Sequence, residues 1–183
     1  MRILTATLLA GTLAFSATAF AQNNPMVGGA EMFADKTIVE NALNSADHTT
    51  LVAAVQAAGL VETLSGEGPF TVFAPTNAAF DALPAGTVET LLKPENKDQL
   101  TKILTCHVVG AEVMAAAVVG LIQSGGGTAN VDTLGGCTLQ AKLDGDKVTL
   151  TDPAGGVATV TIADVDQSNG VIHVIDKVLL PAS

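Results

Sequence analysis

The chain has no tryptophan, no tyrosine and only six phenylalanines among its 183 residues. Two of these, Phe15 and Phe20, lie within the first 21 residues. Modules that stack sugars or single-stranded nucleic acids on aromatic rings need such side chains on their surface. The composition therefore disfavours an aromatic binding platform.

Basic side chains are also few, with 8 Lys and Arg against 18 Asp and Glu, for a formal net charge of −10. They form no cluster along the chain. Contacts with nucleic-acid phosphates or anionic lipid headgroups require clustered positive charge. The composition therefore argues against both ligands and predicts a solvated acidic surface.

Long apolar runs are missing except at the N-terminus. Arg2 is followed by mostly small and apolar residues, and the triplet Ala19-Phe20-Ala21 fits a signal cleavage site before Gln22. We therefore expect residues 1–21 to be a signal peptide and the product to be secreted or periplasmic. The remaining 162 residues suit one domain without a transmembrane anchor.

The first half of the mature chain carries helical patterns. Residues 22–34 contain Pro and a Gly pair and predict a flexible arm before a domain at 35–182. Residues 47–49 suit a break between two helices, and Gly59 suits a helix C-cap. The apolar positions with helical spacing are Ile38, Val39, Ala42, Leu43, Leu51, Val52, Val55 and Ala58.

Strand patterns dominate the second half. A strand at 71–74 and helices near 85–92, 97–104 and 114–122 precede alternating apolar and polar residues from 129 onward. We expect strands also at 105–109 and 111–113, and a hairpin at the sequence LDGDKV. Helices first and strands later indicate an α+β fold with a mostly antiparallel sheet.

The turn after the first strand, in TVFAPTNAAF, has the layout of an active-site loop. Thr76 could be a nucleophile there, but no base accompanies it in the sequence. A hydroxyl at this position is typical of a helix N-cap, with Pro75 and Phe80 placed for a hydrophobic staple. The pattern favours capping over catalysis.

Other chemical sites find little support. We expect Cys106 and His107 to lie in a strand and to point to opposite faces, which argues against a catalytic pair. His48, His107 and His173 lack the spacing of metal ligands, so no metal, cofactor or catalytic residue is predicted. A hydrolase using Thr76 or His107 is the least favoured hypothesis.

The two cysteines of an exported chain can form a disulfide. Cys106 and Cys137 both occur in apolar patterns and could both be buried. Two separately buried thiols explain the sequence equally well, because the sequence does not give the distance between them.

Three segments together resemble the fasciclin domain family: TVFAPTNAAFDALP at 71–84, LTKILTCHVVG at 100–110 and NGVIHVIDKVLLP at 169–181. The resemblance extends over 35–181. It implies a twisted β-sandwich or wedge with several short helices packed against it. The residues that match the family's signature are Thr71, Phe73, Pro75, Thr76, Asn77, Phe80, His107, Asn169, Gly170, His173 and Asp176.

The resemblance also implies a role in cell adhesion or extracellular matrix contact, through a protein or carbohydrate partner and without catalysis. Some family members are linked to symbiosis, biofilm or small-molecule binding, so a carrier of an apolar small molecule in a groove is the alternative. Cys106 stands where the family often has Tyr, and Asn77 stands where many members have Asp. A charge-dependent adhesion role at position 77 is therefore not expected here. We expect a monomer.

Overall fold

The computed structural model describes residues 24–182, so the expected signal peptide at 1–21 and the expected cleavage site between Ala21 and Gln22 lie outside the described residues. Within them, no helix is long and apolar enough to cross a membrane. The helices are α1 Ile38–Asn44, α2 Thr49–Ala58, α3 Val61–Ser65, α4 Asn77–Asp81, α5 Thr87–Leu91, α6 Lys97–Thr105 and α7 Ala115–Ser124. The strands are β1 Phe70–Pro75, β2 Val108–Val109, β3 Thr128–Asp132, β4 Thr138–Asp144, β5 Lys147–Thr151, β6 Val157–Gln167 and β7 Gly170–Ile175.

The strands form one seven-stranded sheet in the order β2-β1-β7-β6-β5-β4-β3. Among the strands of residues 24–182, β1 and β7 are the only parallel neighbours, and every other neighbouring pair is antiparallel. The hairpin predicted from LDGDKV joins β4 to β5, with Gly145 at positive φ in its turn. The predicted α+β class, with short helices against a sheet, is confirmed.

Capping residues mark the start of α1 and the end of α2. Thr37 and Glu40 form a capping box at the start of α1, and Gly59 ends α2 in the left-handed conformation as predicted. The expected apolar stripe was wrong at Leu43, which is 57% exposed. The core side of α1 passes through Ile38 and Ala42, one turn apart, and Leu43 projects about 100° away from Ala42, toward solvent.

The segment predicted as a strand at 105–109 is mostly not one. Helix α6 runs to Thr105, Cys106 caps it, and β2 contains only Val108 and Val109. Residues 111–113 form no strand either. Leu100, Ile103 and Leu104 are all buried on one face of α6, so tertiary packing extends the helix into a sequence rich in β-formers.

Two hydrophobic cores share the central strands as their common wall. The first lies between α1–α6 and one face of β1 and β7, where Val72 and Val174 point. The second lies between α7 and the other face, which presents Phe73 and Ile175. Because both faces of β1 and β7 are covered, these strands read as nearly continuous apolar runs.

Residues 24–34, which the sequence predicts as a flexible arm, lie against the domain in the structure. The Asn24 side chain exchanges two hydrogen bonds with the backbone of Asp166, at 2.6 and 3.0 Å. Val27 and Met32 are buried in the first core. The arm thus supplies apolar side chains that the periodicity of the sequence did not reveal.

The loop between β3 and β4 is bonded to β2 and to the end of α6, at the opposite edge of the sheet. The backbone N–H of Leu134, between β3 and β4, donates to the Val108 carbonyl in β2 at 2.8 Å. Gly135 donates to the Thr105 carbonyl at 3.0 Å. Cys106 and Cys137 form a disulfide beside these bonds, with their Cα atoms 5.3 Å apart. The sheet therefore curves toward a barrel.

Candidate functional site

The first and last signature segments form neighbouring interior strands of the sheet. Strands β1 and β7 pair in parallel over their whole length, from Phe70 opposite Gly170 to Pro75 opposite Ile175. Both strands contribute side chains to the core. Parallel neighbours need a long connection, and here it contains most of the domain.

Phe73 and His173 are direct partners in this pairing and stack with ring centroids 5.7 Å apart. Both are 2% exposed. Two residues before Phe73, Thr71 uses its hydroxyl twice: it donates to the Ala111 carbonyl at 2.6 Å and accepts from the Val113 N–H at 2.8 Å. Thr71 thereby holds the connection between β2 and α7 against the central strands.

His173 joins the same connection to β6. Its Nε2 donates to the Val113 carbonyl at 2.7 Å, and its Nδ1 accepts from the Asp164 N–H at 3.2 Å. Asp164 stands at an irregularity of β6 with φ 54°. Burial lowers the pKa of His173, so the neutral ring with a proton on Nε2 is the form that fits both bonds.

His107 has the complementary arrangement. Its Nδ1 donates to the Ile103 carbonyl at 2.9 Å, and its Nε2 accepts from the Leu179 N–H at 2.8 Å. Burial lowers the pKa of His107 to about 4. The ring therefore ties the end of α6 to the C-terminal segment, and neither nitrogen is available to a substrate.

The turn after β1 is a helix entry in the structure. The Thr76 hydroxyl accepts from the Ala79 N–H at 3.3 Å, which is the N-cap bond expected for this residue. Pro75, Ala79 and Phe80 are buried around it. The hydroxyl is thus engaged in capping α4.

Asn77 links the start of α4 to the start of α2. Its Oδ1 accepts from the Thr50 N–H at 3.0 Å and from the Thr49 hydroxyl at 3.2 Å, while its Nδ2 donates to the Ala46 carbonyl at 2.9 Å. The amide uses both a donor and an acceptor, a combination that an ionised carboxylate could not supply. Asn77 therefore acts as a cross-link between helices.

Asn169 and Gly170 organise the start of β7. Asn169 Oδ1 accepts from the Ile38 N–H at 3.0 Å, and its Nδ2 donates to the carbonyls of Leu64 and Gly66 at 2.8 and 3.0 Å. A Cβ on Gly170, which has φ 149°, would overlap the Phe70 carbonyl oxygen. A glycine here permits the close approach of β1 and β7.

Asp176 lies just after β7 and is exposed. The sequence suggests that it caps or pairs near Lys177. In the structure its Oδ1 accepts from the Thr159 N–H at 2.7 Å, on the neighbouring strand β6. Its contact is therefore a cross-strand bond.

Several buried polar residues escaped sequence analysis. Asp152, 5% exposed, accepts from the N–H groups of Gly156 and Leu180 at 2.7 and 2.8 Å. Asn41 is fully buried and bonds to the Phe33 backbone and to Gln167. The turn sequence Asp-Pro-Ala-Gly-Gly was a signal for Asp152, since Asp often bonds to the backbone of its own turn. No comparable pattern marked Asn41.

Acidic side chains do not gather into a metal centre within residues 24–182. Asp164 and Asp166 alternate in the sequence, but Asp164 Oδ1 accepts from the Ala115 N–H at 2.7 Å at the start of α7. The polar signature residues Thr71, His107, Asn169 and His173 likewise bond to backbone groups of the domain.

A polar groove of about 490 Å³ opens where β1 and β7 begin. Glu67, before β1, and Glu112, after β2, both line it and are exposed. Its other walls include Thr37, Ser65, Ser168 and Asn169. Because Asn169 bonds to the start of α1 and to the end of α3, the walls of the groove are held by internal bonds.

Comparison with known proteins identifies relatives of similar length. A fasciclin domain family model matches residues 46–181. Protein sll1483 of Synechocystis sp. is 53% identical over 184 residues, which cover 92% of this chain and 95% of that protein. Immunogenic protein MPB70 of Mycobacterium bovis is 38% identical over 145 residues, covering 76% of this chain and 66% of that protein.

Similarity extends to a larger animal protein and to a solved structure. Human periostin is 33% identical over 137 residues, which cover 75% of this chain but 15% of periostin. The FAS1 domain pair of the insect cell adhesion molecule fasciclin I has a TM-score of 0.53 and 23% identity, over 69% of this chain and 42% of that chain. The structural likeness shows a common fold.

Proposed function

Because the chain belongs to the fasciclin domain family, we propose that it is an exported, non-enzymatic module that supports adhesion by binding an extracellular or cell-surface protein or carbohydrate. The solved structural relative comes from a cell adhesion molecule. The use of the signature residues carries the proposal: Thr71, His107, Asn169 and His173 all bond to backbone groups inside the domain. They hold the fold, which leaves recognition to the surface.

The polar groove at the start of β1 and β7 is the surface we assign to the partner. Its volume lies in the range of ligand-binding clefts. Carboxylates and hydroxyl groups on fixed walls suit a ligand rich in hydrogen-bond donors, such as a carbohydrate chain or a basic peptide segment. The acidic net charge of the chain favours such partners over anionic ones.

An attachment assay tests this assignment. In a deletion strain, surface attachment would be compared after complementation with the wild type, with Glu67→Gln/Glu112→Gln, and with the matched pair Glu89→Gln/Glu95→Gln. Both pairs remove two exposed carboxylates, but the second pair lies on α5 and just before α6, outside the residues that line the groove. We expect loss of attachment with the first pair only. Equal attachment by all three would contradict the groove, and no defect on deletion would contradict the adhesion role.

Export is part of the same proposal and has its own measurement. The mass of the protein recovered outside the cytoplasm should correspond to a chain that begins at Gln22. Recovery from the cytoplasm of a chain that still carries residues 1–21 would contradict secretion.

A carrier of an apolar small molecule is the second candidate function. The observation in its favour is a cavity lined by apolar side chains of α1, α2, α3 and β1, among them Val39, Val52 and Val61. Native mass spectrometry of the protein purified from its own host should then show a bound ligand. A bare polypeptide mass would contradict this second function and leave the first untouched.

A further inference from the structure

Two neighbouring cavities lie under α1 and α2, on the helix side of β1. The outer cavity measures about 30 Å³ and the inner one about 20 Å³. Both are lined by the same four apolar residues, Ile38, Ala42, Leu51 and Val72. A space of about 10–15 Å³ on this scale already accommodates one water-sized group. The pair therefore has room for a few such groups in a row.

His48 lines the inner cavity and is 3% exposed. Its Nδ1 lies 2.8 Å from the Ser45 hydroxyl. Its Nε2 is buried and has no hydrogen-bond partner, which holds for no other buried side-chain nitrogen or oxygen in residues 24–182. A buried polar atom without a partner is destabilising, so a ligand that bonds to Nε2 would gain that interaction.

His107, which lines the outer cavity, provides a contrast. Both of its ring nitrogens are bonded to backbone groups, so it presents only its carbon atoms to a ligand. His48 Nε2 is therefore the polar anchor of the two cavities.

The His48 ring is suited to a neutral ligand. Burial lowers its pKa. The Ala74 backbone, which lies near the ring but outside hydrogen-bond geometry, and Asp47 have smaller opposing effects. The Ser45 hydroxyl can donate to Nδ1 or accept from it, so Nε2 can serve as a donor or as an acceptor. A carboxylate or an ammonium group would lose its hydration in these apolar surroundings without gaining a counter-ion.

The outer cavity also offers a way in. Ala42, Val52 and Val61 line it and are only half-buried, so its wall borders the surface between α1, α2 and α3. A molecule that enters here meets apolar side chains first and His48 last.

We propose that the two cavities form a binding site for a short alkyl chain that ends in one hydroxyl group. The hydroxyl bonds to His48 Nε2 in the inner cavity, and the chain extends into the outer one past Ala42. This inference rests on the second candidate function, for which it names a ligand class and a polar anchor.

A pair of probes of equal chain length tests the anchor. 1-Butanol and 1-butanethiol differ in the hydrogen-bonding strength of their terminal group, since a thiol is a weak donor and acceptor. Binding to the full mature chain would be followed by NMR, through the methyl groups of Ile38, Leu51 and Val72 and the ring nitrogens of His48. We expect saturable shifts at these sites and a shift of the His48 Nε2 signal with the alcohol but not with the thiol. The ratio of alcohol to thiol affinity should be about five-fold higher than in a variant without this nitrogen, a comparison that cancels the easier dehydration of the thiol.

Three variants complete the test. His48→Phe keeps a ring but removes the nitrogens, and should abolish the preference for the alcohol. Ala42→Leu fills the shared wall and should weaken both probes, whereas Ala116→Leu makes the same change on the exposed side of α7 and should leave binding unchanged.

Absence of saturable shifts, shifts confined to other residues, or the same response of His48 Nε2 to both probes in the wild type would each overturn the proposal. The Nε2 signal decides even if His48→Phe does not fold. A charged ligand on the protein from its own host would overturn this ligand class while keeping the carrier function.

Discussion

The two cores of the domain are filled by similar side chains but closed in different ways. The first, between the helices and β1, contains cavities of about 30 and 20 Å³ and the unpaired nitrogen of His48. The second, between α7 and the sheet, contains one of about 10 Å³. Backbone ladders set the spacing of the side chains on a sheet, whereas short helices pack only through their side chains. These cavities leave more unfilled space on the helix side of the domain than on the sheet side. We therefore expect side chains in the first core to adjust more easily to a substitution.

The largest expected effect comes from removing one aromatic ring from each core. Phe73 is 2% exposed in the second core and Phe80 is 7% exposed in the first. Phe→Ala at either position should lower the free energy of unfolding by about 3–5 kcal/mol, with the smaller loss at Phe80 if the first core adjusts more easily. Urea denaturation measures both losses.

Phe33→Ala provides the control for these variants, because Phe33 is 40% exposed. Its loss should stay below about 1 kcal/mol. Losses that small at both Phe73 and Phe80 would contradict their place in the cores.

The next effect concerns the disulfide, which joins the end of α6 to the connection between β3 and β4. Replacing Cys106 and Cys137 together by Ala opens a loop between residues 31 apart in sequence. Loop-closure entropy predicts a loss of about 3–4 kcal/mol. Thermal unfolding of both proteins, with and without reductant, measures this loss. Reductant should lower the melting temperature of the wild type and leave that of the variant unchanged. Equal stability of the two oxidised proteins would be the contrary result.

Acid should weaken the junction that His107 makes between α6 and the C-terminal segment. Its pKa is about 4 in the folded protein and about 6.5 in the unfolded chain, so the unfolded chain binds more protons between these values. The contribution is complete above pH 6.5 and is lost as the pH falls toward 4. Between pH 7 and pH 5 this amounts to about 2 kcal/mol.

Urea denaturation at a series of pH values checks this dependence. His107→Asn should be less stable at pH 7 and should respond less to pH between 6.5 and 5. An unchanged slope in the variant would show that another group is responsible.

The smallest expected effect concerns the cap at the edge of the first core. Thr76→Ala removes the bond to the Ala79 N–H and should cost about 1 kcal/mol, whereas Thr76→Ser retains the hydroxyl and should cost less. The midpoints of urea denaturation of the wild type and the two variants measure these losses. Equal losses for Ala and Ser would mean that the Thr76 methyl group, rather than its hydroxyl, matters.

Local patterns in the sequence predicted those features that depend on near neighbours. The caps at Thr76 and Gly59 and the turn at Gly145 follow from the chemistry of a few adjacent residues. The pairing of β1 with β7 joins residues 100 apart in the chain, from Phe70 opposite Gly170 onward, and no local pattern in the sequence indicates it.

The errors came where distant contacts decide. Cys106 and His107 stand in a sequence typical of a strand, yet burial of Leu100, Ile103 and Leu104 carries α6 up to them. The sequence excluded His107 and His173 as metal ligands by their spacing, but it did not indicate their partners Leu179 and Val113, which lie far away in the chain. The position of His48 beside a cavity depends on the packing of α1 and β1 and had no signal in the sequence.

The bonds from Leu134 and Gly135 to the other edge of the sheet have a consequence for behaviour at high concentration. An open edge strand is a template on which a second chain can add its own strand and begin an aggregate. Here β2 is two residues long, and its Val108 carbonyl is already occupied by the backbone of the same chain. At this corner, copies of the protein cannot join by strand addition, and recognition between molecules is left to side chains.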